Sequence, residues 1–498
     1  MPLTMVNTDS HWRVKWRGIG THDAQARHQR AKRTVSAGWR AVAVANSPLH
    51  LSRRAVLRRG LVTASALGLG GSRAPAATVA RGRPINETEH PYGPVTLLTT
   101  QLTPAVEARL FRESILEPYP GVVDVIPAEP ETFAAVVARE IGGGVGSIGV
   151  IGALHGDFAS LAADGFLSDL SDFAEDRQDF AFLPQYLEIA RFGGTALGYL
   201  PWMQATFVMV ARRDALPYLP GGLTEETLST ALTYERLLAW AETIAEVAGP
   251  KFGLPAGPTG LLHRFLQGYL YPSFTGGINR TIRGSAAVSM WEWLRQLWSV
   301  TNPASIAYDA MADPLRSGDV WLAWDHTARL IPALRHDPAA YVAFPAPSGP
   351  RGRGFMPVIA GLGVPISAPD IVASRALITY LTRTEVQALT LREVAFFPTI
   401  DVDLPSNLDP GMESMVSAVL TMMASPDAVP SLPPVGLREW NVPYNQTFRD
   451  AFAAIVIDGN DIPDVLESVA NDLQSLLTAA QAPCWLPDAA SLGVCTVG

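Results

Sequence analysis

Val95-Thr96-Leu97-Leu98-Thr99 opens the stretch on which the fold turns, and it closes at Ile148-Gly149-Val150-Ile151. The first run is apolar and short, and it reads as a buried strand. Val106, Leu110, Ile115 and Leu116 then recur at helical spacing, and Pro104 suits a first helical turn, so a helix is predicted over 104–116. Tyr119-Pro120-Gly121 turns the chain into Val122-Val123-Asp124-Val125-Ile126, a second strand. Residues 132–141 read as a helix, and the run at 148–151 as a third strand. Strand and helix alternating at this spacing specify βαβ units, which means a parallel sheet with helices on both faces.

Downstream, residues 198–212 read as extended. Amphipathic helices are predicted over 228–247, 286–300, 373–382 and 462–477, and strands over 320–324, 341–344 and 361–366. Short connections rich in Pro and Gly fit an α/β protein, and there is no internal repeat. Upstream the character changes. Residues 1–76 hold 13 Lys/Arg against Asp9 and Asp23, so of a formal charge of −9 over 498 residues the leader carries +11 and the remainder −20. An acidic body argues against a binder of phosphate backbones, so no nucleic-acid partner is expected. A hydrophobic share of 48% and 12 Trp argue against disorder.

The leader reads as an address. Ser52-Arg53-Arg54-Ala55-Val56-Leu57-Arg58 is a twin-arginine export pattern, an apolar stretch runs from Leu61 to Leu69, and Ala74-Pro75-Ala76 offers a small-x-small cleavage site. Gly70-Gly71-Ser72 stands where a lipid-anchored protein needs cysteine. Extracytoplasmic localisation without a lipid anchor is therefore expected, with 77–92 as a linker. In an exported chain the two cysteines, Cys484 and Cys495, read as one disulfide closing a short loop.

Motifs for chemistry are weak. Gly144-Val145-Gly146-Ser147-Ile148-Gly149 matches the dinucleotide pattern, but a helix precedes it and a strand follows, which reverses the order that brings a helix N-terminus to a pyrophosphate. His90, His155, His263, His326 and His336 show no metal-ligand spacing, and Asp169/Asp172 and Glu225/Glu226 sit in capping contexts. No catalytic constellation, cofactor or metal site is predicted.

Taken in order, the blocks of the mature chain resemble the family 1 extracellular solute-binding proteins, the exported receptors of ABC importers, typically for sugars. The resemblance runs from about Val95 to Leu477 and rests on several diffuse blocks in sequence. After the opening strand and helix and Pro120-Gly121-Val122 come Ile148-Gly149-Val150-Ile151 and Leu161-Ala162-Ala163-Asp164-Gly165-Phe166-Leu167-Ser168-Asp169-Leu170. Leu200-Pro201 with Phe207-Val208-Met209-Val210-Ala211-Arg212-Arg213-Asp214 is similar to the family's first hinge crossing, with Ala211-Arg212-Arg213-Asp214 replacing the usual Tyr-Asn-Lys-Asp. Thr233-Tyr234-Glu235-Arg236-Leu237, Ser317-Gly318-Asp319-Val320-Trp321-Leu322-Ala323-Trp324 and Ala395-Phe396-Phe397-Pro398 complete the series.

The resemblance implies a two-lobed α/β periplasmic-binding-protein fold with hinge crossings and an interlobe cleft. Crossings are expected near 204–207, 343–346 and 397–400. Lobe 1 would then comprise 93–205 plus 346–397, lobe 2 would comprise 206–343 plus 400–480, and 481–498 would form a tail. It further implies a monomeric receptor, not an enzyme, that captures a sugar or oligosaccharide and delivers it to the transmembrane subunits of a permease.

A sugar has apolar C–H faces and hydroxyl edges, so it stacks on aromatic rings and hydrogen-bonds to polar side chains. Trp202 and Gln204 precede the first crossing, and Trp324, Asp325 and His326 follow a strand end in the other lobe. His155 and Asp157 follow the third strand, at the carboxyl ends where open α/β sheets bind ligands, and Gln101 follows the first. Tyr444 lies in the block 440–446, where the family offers a stacking aromatic. His263, Tyr269 and Tyr271 follow a Gly/Pro-rich loop and are further candidates. Two alternatives remain open. An exported glycoside hydrolase or lyase would need Asp157 and Asp325, the one pair available, about 5–10 Å apart across the cleft. A receptor for another solute, a polyamine, an amino acid or a phosphorylated polyol, is the second: an acidic, tyrosine-rich pocket would suit a cation, and arginines an anion, with Arg191, Arg264 and Arg353 as the residues to place.

Overall fold

The computed structural model describes residues 92–144, 146–175, 182–400, 405 and 407–498, and the backbone of a hairpin in which Leu3–Thr8 pairs antiparallel with His11–Trp16. The twin-arginine segment, the apolar stretch, Ala74-Pro75-Ala76 and the linker up to residue 91 lie outside the described residues.

Val95–Thr99 is buried along most of its length, as a strand covered on both faces must be. It pairs in parallel with Val123–Pro127 on one side and Val150–Leu154 on the other. Val358–Gly363 and Leu200–Ala205 complete this five-stranded sheet; Val358–Gly363 runs antiparallel to both its neighbours. Gly361 is obligatory there, because a Cβ would stand 2.1 Å from Tyr199 Cδ2. The helix after the first strand, Ala105–Leu110, widens into a π turn at Phe111–Ile115 that buries Phe111 and Ile115. The glycine-rich run after Pro130–Gly142 is a helix-to-strand connector, and both the N–H and the hydroxyl of Ser147 bond to Glu140 Oε2 (2.8 and 3.0 Å).

A second sheet orders Tyr341–Phe344, Phe207–Arg212, Leu322–His326 and Phe252–Gly253. The helix predicted over 228–247 is two helices, Leu228–Ala231 and Tyr234–Ala248, because Thr233 caps the second: its hydroxyl accepts from Arg236 N.

The chain passes between the sheets three times. Thr206 alone separates Leu200–Ala205 from Phe207–Arg212; its hydroxyl meets Tyr269 OH at 3.1 Å and donates to Met356 O at 3.0 Å. The second passage leaves the second sheet at Phe344, within the expected 343–346, and enters the first sheet at Val358. The intervening stretch stays with the second sheet's surroundings, because Ser348 N bonds to Leu232 O and Arg353–Phe355 pairs in parallel with Ala428–Pro430. At the third passage Phe397 and Gln204 exchange both backbone hydrogen bonds (2.7 and 2.9 Å), and the next described helix, Pro410–Met423, packs on Tyr341–Phe344. Helices Asn441–Phe452 and Ile462–Ala480 pack together, and Cys484 and Cys495 form a disulfide beyond them. Among the described residues no helix is long and apolar enough to cross a membrane.

Candidate functional site

The carboxyl ends of the first sheet's parallel strands carry Gln101 and His155. Gln101 is half-buried in a turn held by Thr99, whose Oγ1 accepts from Gln101 N at 2.9 Å, and its Nε2 donates to Thr100 Oγ1 at 3.0 Å. His155 is buried, stacks on Phe192 at 5.0 Å and has Nδ1 3.0 Å from Tyr199 OH, while Nε2 has no hydrogen-bond partner. Burial lowers its pKa to about 4, so the ring is neutral at pH 7. Asp157 is a capping residue: its Oδ2 accepts from Leu154 N at 3.3 Å at the start of His155–Ala163.

At the end of Leu322–His326, Asp325 is fully buried and bridges two segments, Oδ2 accepting from Met311 N (2.9 Å) and Oδ1 from His326 N (2.7 Å). Burial pushes its pKa up to about 7. His326 Nδ1 accepts from Ala328 N and caps Thr327–His336, which fixes the tautomer with the proton on Nε2. Burial and nearby Arg329 pull its pKa to about 3. Asp157 and Asp325 are thus both engaged with backbone N–H groups.

The aromatic candidates sit elsewhere than expected. Trp202 is fully buried against Phe111 at 5.6 Å, on the helix-covered face of the first sheet. Trp324 is fully buried, its ring parallel to Phe207 at 4.7 Å and against Phe265 and Tyr269. Tyr444 is buried too, its hydroxyl donating to Asn279 Oδ1 at 3.0 Å. In this conformation none of the three offers an open ring face, because the packing of their sheets and helices covers both sides. Gln204 is likewise spent: Oε1 accepts from Tyr186 OH and Nε2 donates to Pro398 O at 2.9 Å. Tyr269 serves the first passage, where its hydroxyl accepts from Phe207 N (3.1 Å) and donates to Phe207 O (3.0 Å). Tyr271 OH accepts from Trp291 Nε1 and donates to Ile282 O.

The segment 262–275 lies across the end of the second sheet, since Phe265 and Tyr269 pack on Trp324. It carries a polar chain: Arg264 Nη1 donates to Gln267 Oε1 (3.1 Å), Gln267 Nε2 to Asn445 Oδ1 (3.0 Å), and Asn445 Nδ2 to Asn441 Oδ1 (3.4 Å). Neighbouring His263 is buried with Nδ1 unpartnered. Burial, reinforced by Arg264, Arg449 and Arg329, lowers its pKa to about 2. Asn441 and Asn445 are one helical turn apart on Asn441–Phe452, a spacing legible in sequence once that helix is known. Arg264 was not placeable from sequence. Arg191 and Arg353 bond to backbone carbonyls within their own lobes, at Thr195 and Ser229.

Contacts away from the passages also join the sheets' surroundings, among them Arg335 Nη2 donating to Arg392 O at 2.8 Å. Arg438 Nη2 lies 2.9 Å from Asp164 Oδ1, and the turn that carries it packs on His155–Ala163. Trp485 Cζ3 stands 4.0 Å from the position a Cβ would take at Gly193. A groove of about 880 Å³ runs between the helices Asn441–Phe452 and Ile462–Ala480, lined by Asp450, Asp461, Asp464 and Asp472. It lies away from the strand ends.

A model of the bacterial extracellular solute-binding protein family matches residues 122–388. No curated protein matches the chain. Among solved structures, maltose-bound MalE3 of T. maritima is 19% identical with a TM-score of 0.60, covering 77% of this chain and 100% of that one. The sugar-binding protein MalE from Xanthomonas citri is 15% identical with a TM-score of 0.61, covering 78% and 98%. UgpB from Mycobacterium tuberculosis, in complex with glycerophosphocholine, is 17% identical with a TM-score of 0.59, covering 78% and 99%. At such identities the likeness is one of fold.

Proposed function

The chain belongs to the bacterial extracellular solute-binding proteins, and from that membership we propose that it captures a sugar or sugar-like polyol between its lobes and delivers it to the permease of an ABC importer. The lobes comprise residues 92–205 with 358–400, and 206–355 with 410–480. The protein acts outside the cytoplasm after twin-arginine export, as a monomer, and makes or breaks no bond in its solute.

The observation that supports this reading best is the chemistry of the side chains at the two sheet ends. His155 and His326 are neutral imidazoles, each with Nδ1 held inside the protein, by Tyr199 OH and by Ala328 N, and with Nε2 left for a solute, and Gln101 and Asn445 are amides. Such groups match hydroxyls, which both donate and accept. Asp157 and Asp325, the pair a glycosidase would need, are committed to backbone N–H groups, and this favours capture over hydrolysis.

A thermal-shift series on the exported protein against mono- and disaccharides tests the reading. A bound sugar raises the unfolding midpoint with concentration, and His326→Ala weakens that response. Hydrolysis of a labelled glycoside, with no sugar or polyol moving the midpoint, would sink it.

A further inference from the structure

Arg264 is a charge without a counter-charge. Its guanidinium is half-buried and carries five N–H donors, of which one hydrogen bond, to Gln267, is accounted for. Among the described residues no carboxylate forms an ion pair with it. The groups that bear on it most are the neutral phenol of Tyr444 and the guanidinium of Arg449, and burial lowers its pKa only to about 10, which leaves it charged at pH 7. The charges that bear on adjacent His263 are all positive, those of Arg264, Arg449 and Arg329. Asp309 offsets part of this, but it lies by Arg329, and its Oδ1 accepts from Thr259 N. Arg329 and Arg449 are occupied in holding the 257–260 loop through its carbonyls.

Even partial withdrawal from water makes a charge costly unless something pairs with it. The protein supplies Arg264 with amides and leaves His263 Nδ1 unpartnered beside it. The chain Arg264–Gln267–Asn445–Asn441 ends beside the turn of Arg438, which touches the other lobe through Asp164. The Asn441 end of this chain therefore lies beside a contact between the lobes. We infer that Arg264, with His263 beside it, forms an anion subsite, and that the captured solute is a polyol or sugar bearing a phosphate monoester or carboxylate. This rests on the solute-binding reading above and narrows its ligand. A polyamine is disfavoured by the same three guanidiniums.

The experiment measures binding to the exported protein of two matched pairs, glycerol 3-phosphate with glycerol and glucuronate with glucose, and of maltose and inorganic phosphate, by thermal shift and calorimetry. In the wild type an anionic member binds more tightly than its neutral partner by on the order of ten- to a hundredfold, the scale of hydrogen bonds to a charged group. Arg264→Gln collapses that ratio toward one, and Arg264→Lys retains part of it. Glycerol 3-phosphate responding alone assigns a phosphate monoester, and glucuronate alone a carboxylate. The unliganded midpoint of Arg264→Gln is not lowered, since an uncompensated charge has been removed. A neutral member binding as tightly as its anionic partner, or a ratio that survives Arg264→Gln, overturns the inference. If neutral sugars bind and anions do not, the receptor reading stands and the anion subsite falls. If no probe binds, both fall.

Discussion

Asp164 Oδ1 and Arg438 Nη2 stand 2.9 Å apart and join the end of the helix His155–Ala163 to the turn that precedes Asn441–Phe452, one residue from each lobe. Both side chains are about two-fifths exposed, so the pair contributes at most about 1 kcal/mol to folding. Its consequence is for closure, because it ties the lobes at a point away from the passages. Asp164→Asn and Arg438→Ala are expected to leave the urea midpoint nearly unchanged and to speed solute release up to about fivefold. Arg438 also holds a left-handed φ of 48°, so Arg438→Gly should be more stable than Arg438→Ala while releasing solute as fast. Stopped-flow dissociation rates identical to wild type in all three would show that the pair is a surface contact only.

Gln204 makes the opposite case, a residue whose change acts on the fold. Its amide bridges Tyr186 OH to Pro398 O and its backbone pairs with Phe397, so one side chain ties two passages together. Gln204→Leu leaves a buried hydroxyl and a buried carbonyl unpartnered, at about 1–3 kcal/mol each. Urea unfolding should show a loss of roughly 2–5 kcal/mol with an unchanged slope. A loss below about 1 kcal/mol would mean that Tyr186 and Pro398 find other partners.

The buried titratable groups fix how stability responds to acid. His155, His326 and His263 have native pKa values of about 4, 3 and 2 against an ordinary 6.5. Below pH 6.5 the unfolded chain binds protons that the native one does not, so these groups remove stability as pH falls. Asp325 runs the other way. Its native pKa of about 7 against 3.8 means that the native state holds the extra proton between about pH 4 and 7, and its contribution is lost as pH rises through that window. Three histidines outweigh one aspartate, so stability should rise from pH 4 to 6.5, each net proton setting a slope of about 1.4 kcal/mol per pH unit. His155→Gln should flatten the profile and Asp325→Asn steepen it. Urea midpoints that do not vary between pH 4.5 and 6.5 would contradict the assignment.

These residues also show what could be read from the sequence. The opening strand, Val95–Thr99, was legible because burial on both faces leaves an unbroken apolar run, and the extended reading of 198–212 because two strands abut there with one residue between them. The pairing of Arg353–Phe355 with Ala428–Pro430 was not, because the partners lie 75 positions apart and no local pattern encodes it. Trp202 and Trp324 carry the residue type of a sugar platform, yet side-chain direction in a strand decides between cleft and core, and both turn to the core. Arg264 is a single arginine in a helical stretch; only the absence of a nearby carboxylate marks it, and that is a property of the tertiary structure.

The tail beyond the last helix yields a prediction that separates a covalent restraint from an electrostatic one. Asp488 is buried, its Oδ1 accepts from Ile278 N (3.1 Å) and Arg280 N (3.3 Å), and its Oδ2 accepts from Asn279 N (2.8 Å) and Nδ2 (3.4 Å). The carboxylate therefore organises the turn whose Asn279 receives Tyr444 OH, and Gly498 N closes on Asn279 O. Asp488→Asn replaces an acceptor with an N–H group facing N–H donors, so it loses bonds and adds repulsion; a cost of about 2–4 kcal/mol to the whole lobe is expected. Replacing Cys484 and Cys495 with Ser opens only a short loop at the chain's end, worth about 3 kcal/mol to that segment in the chain-entropy account. Hydrogen exchange distinguishes them. The double serine variant should lose protection in 482–498 alone, whereas Asp488→Asn should lose it at 278–282 and at the helix Asn441–Phe452 as well. Equal exchange patterns in the two variants would place the turn under the control of the disulfide, and the role given to Asp488 would be wrong.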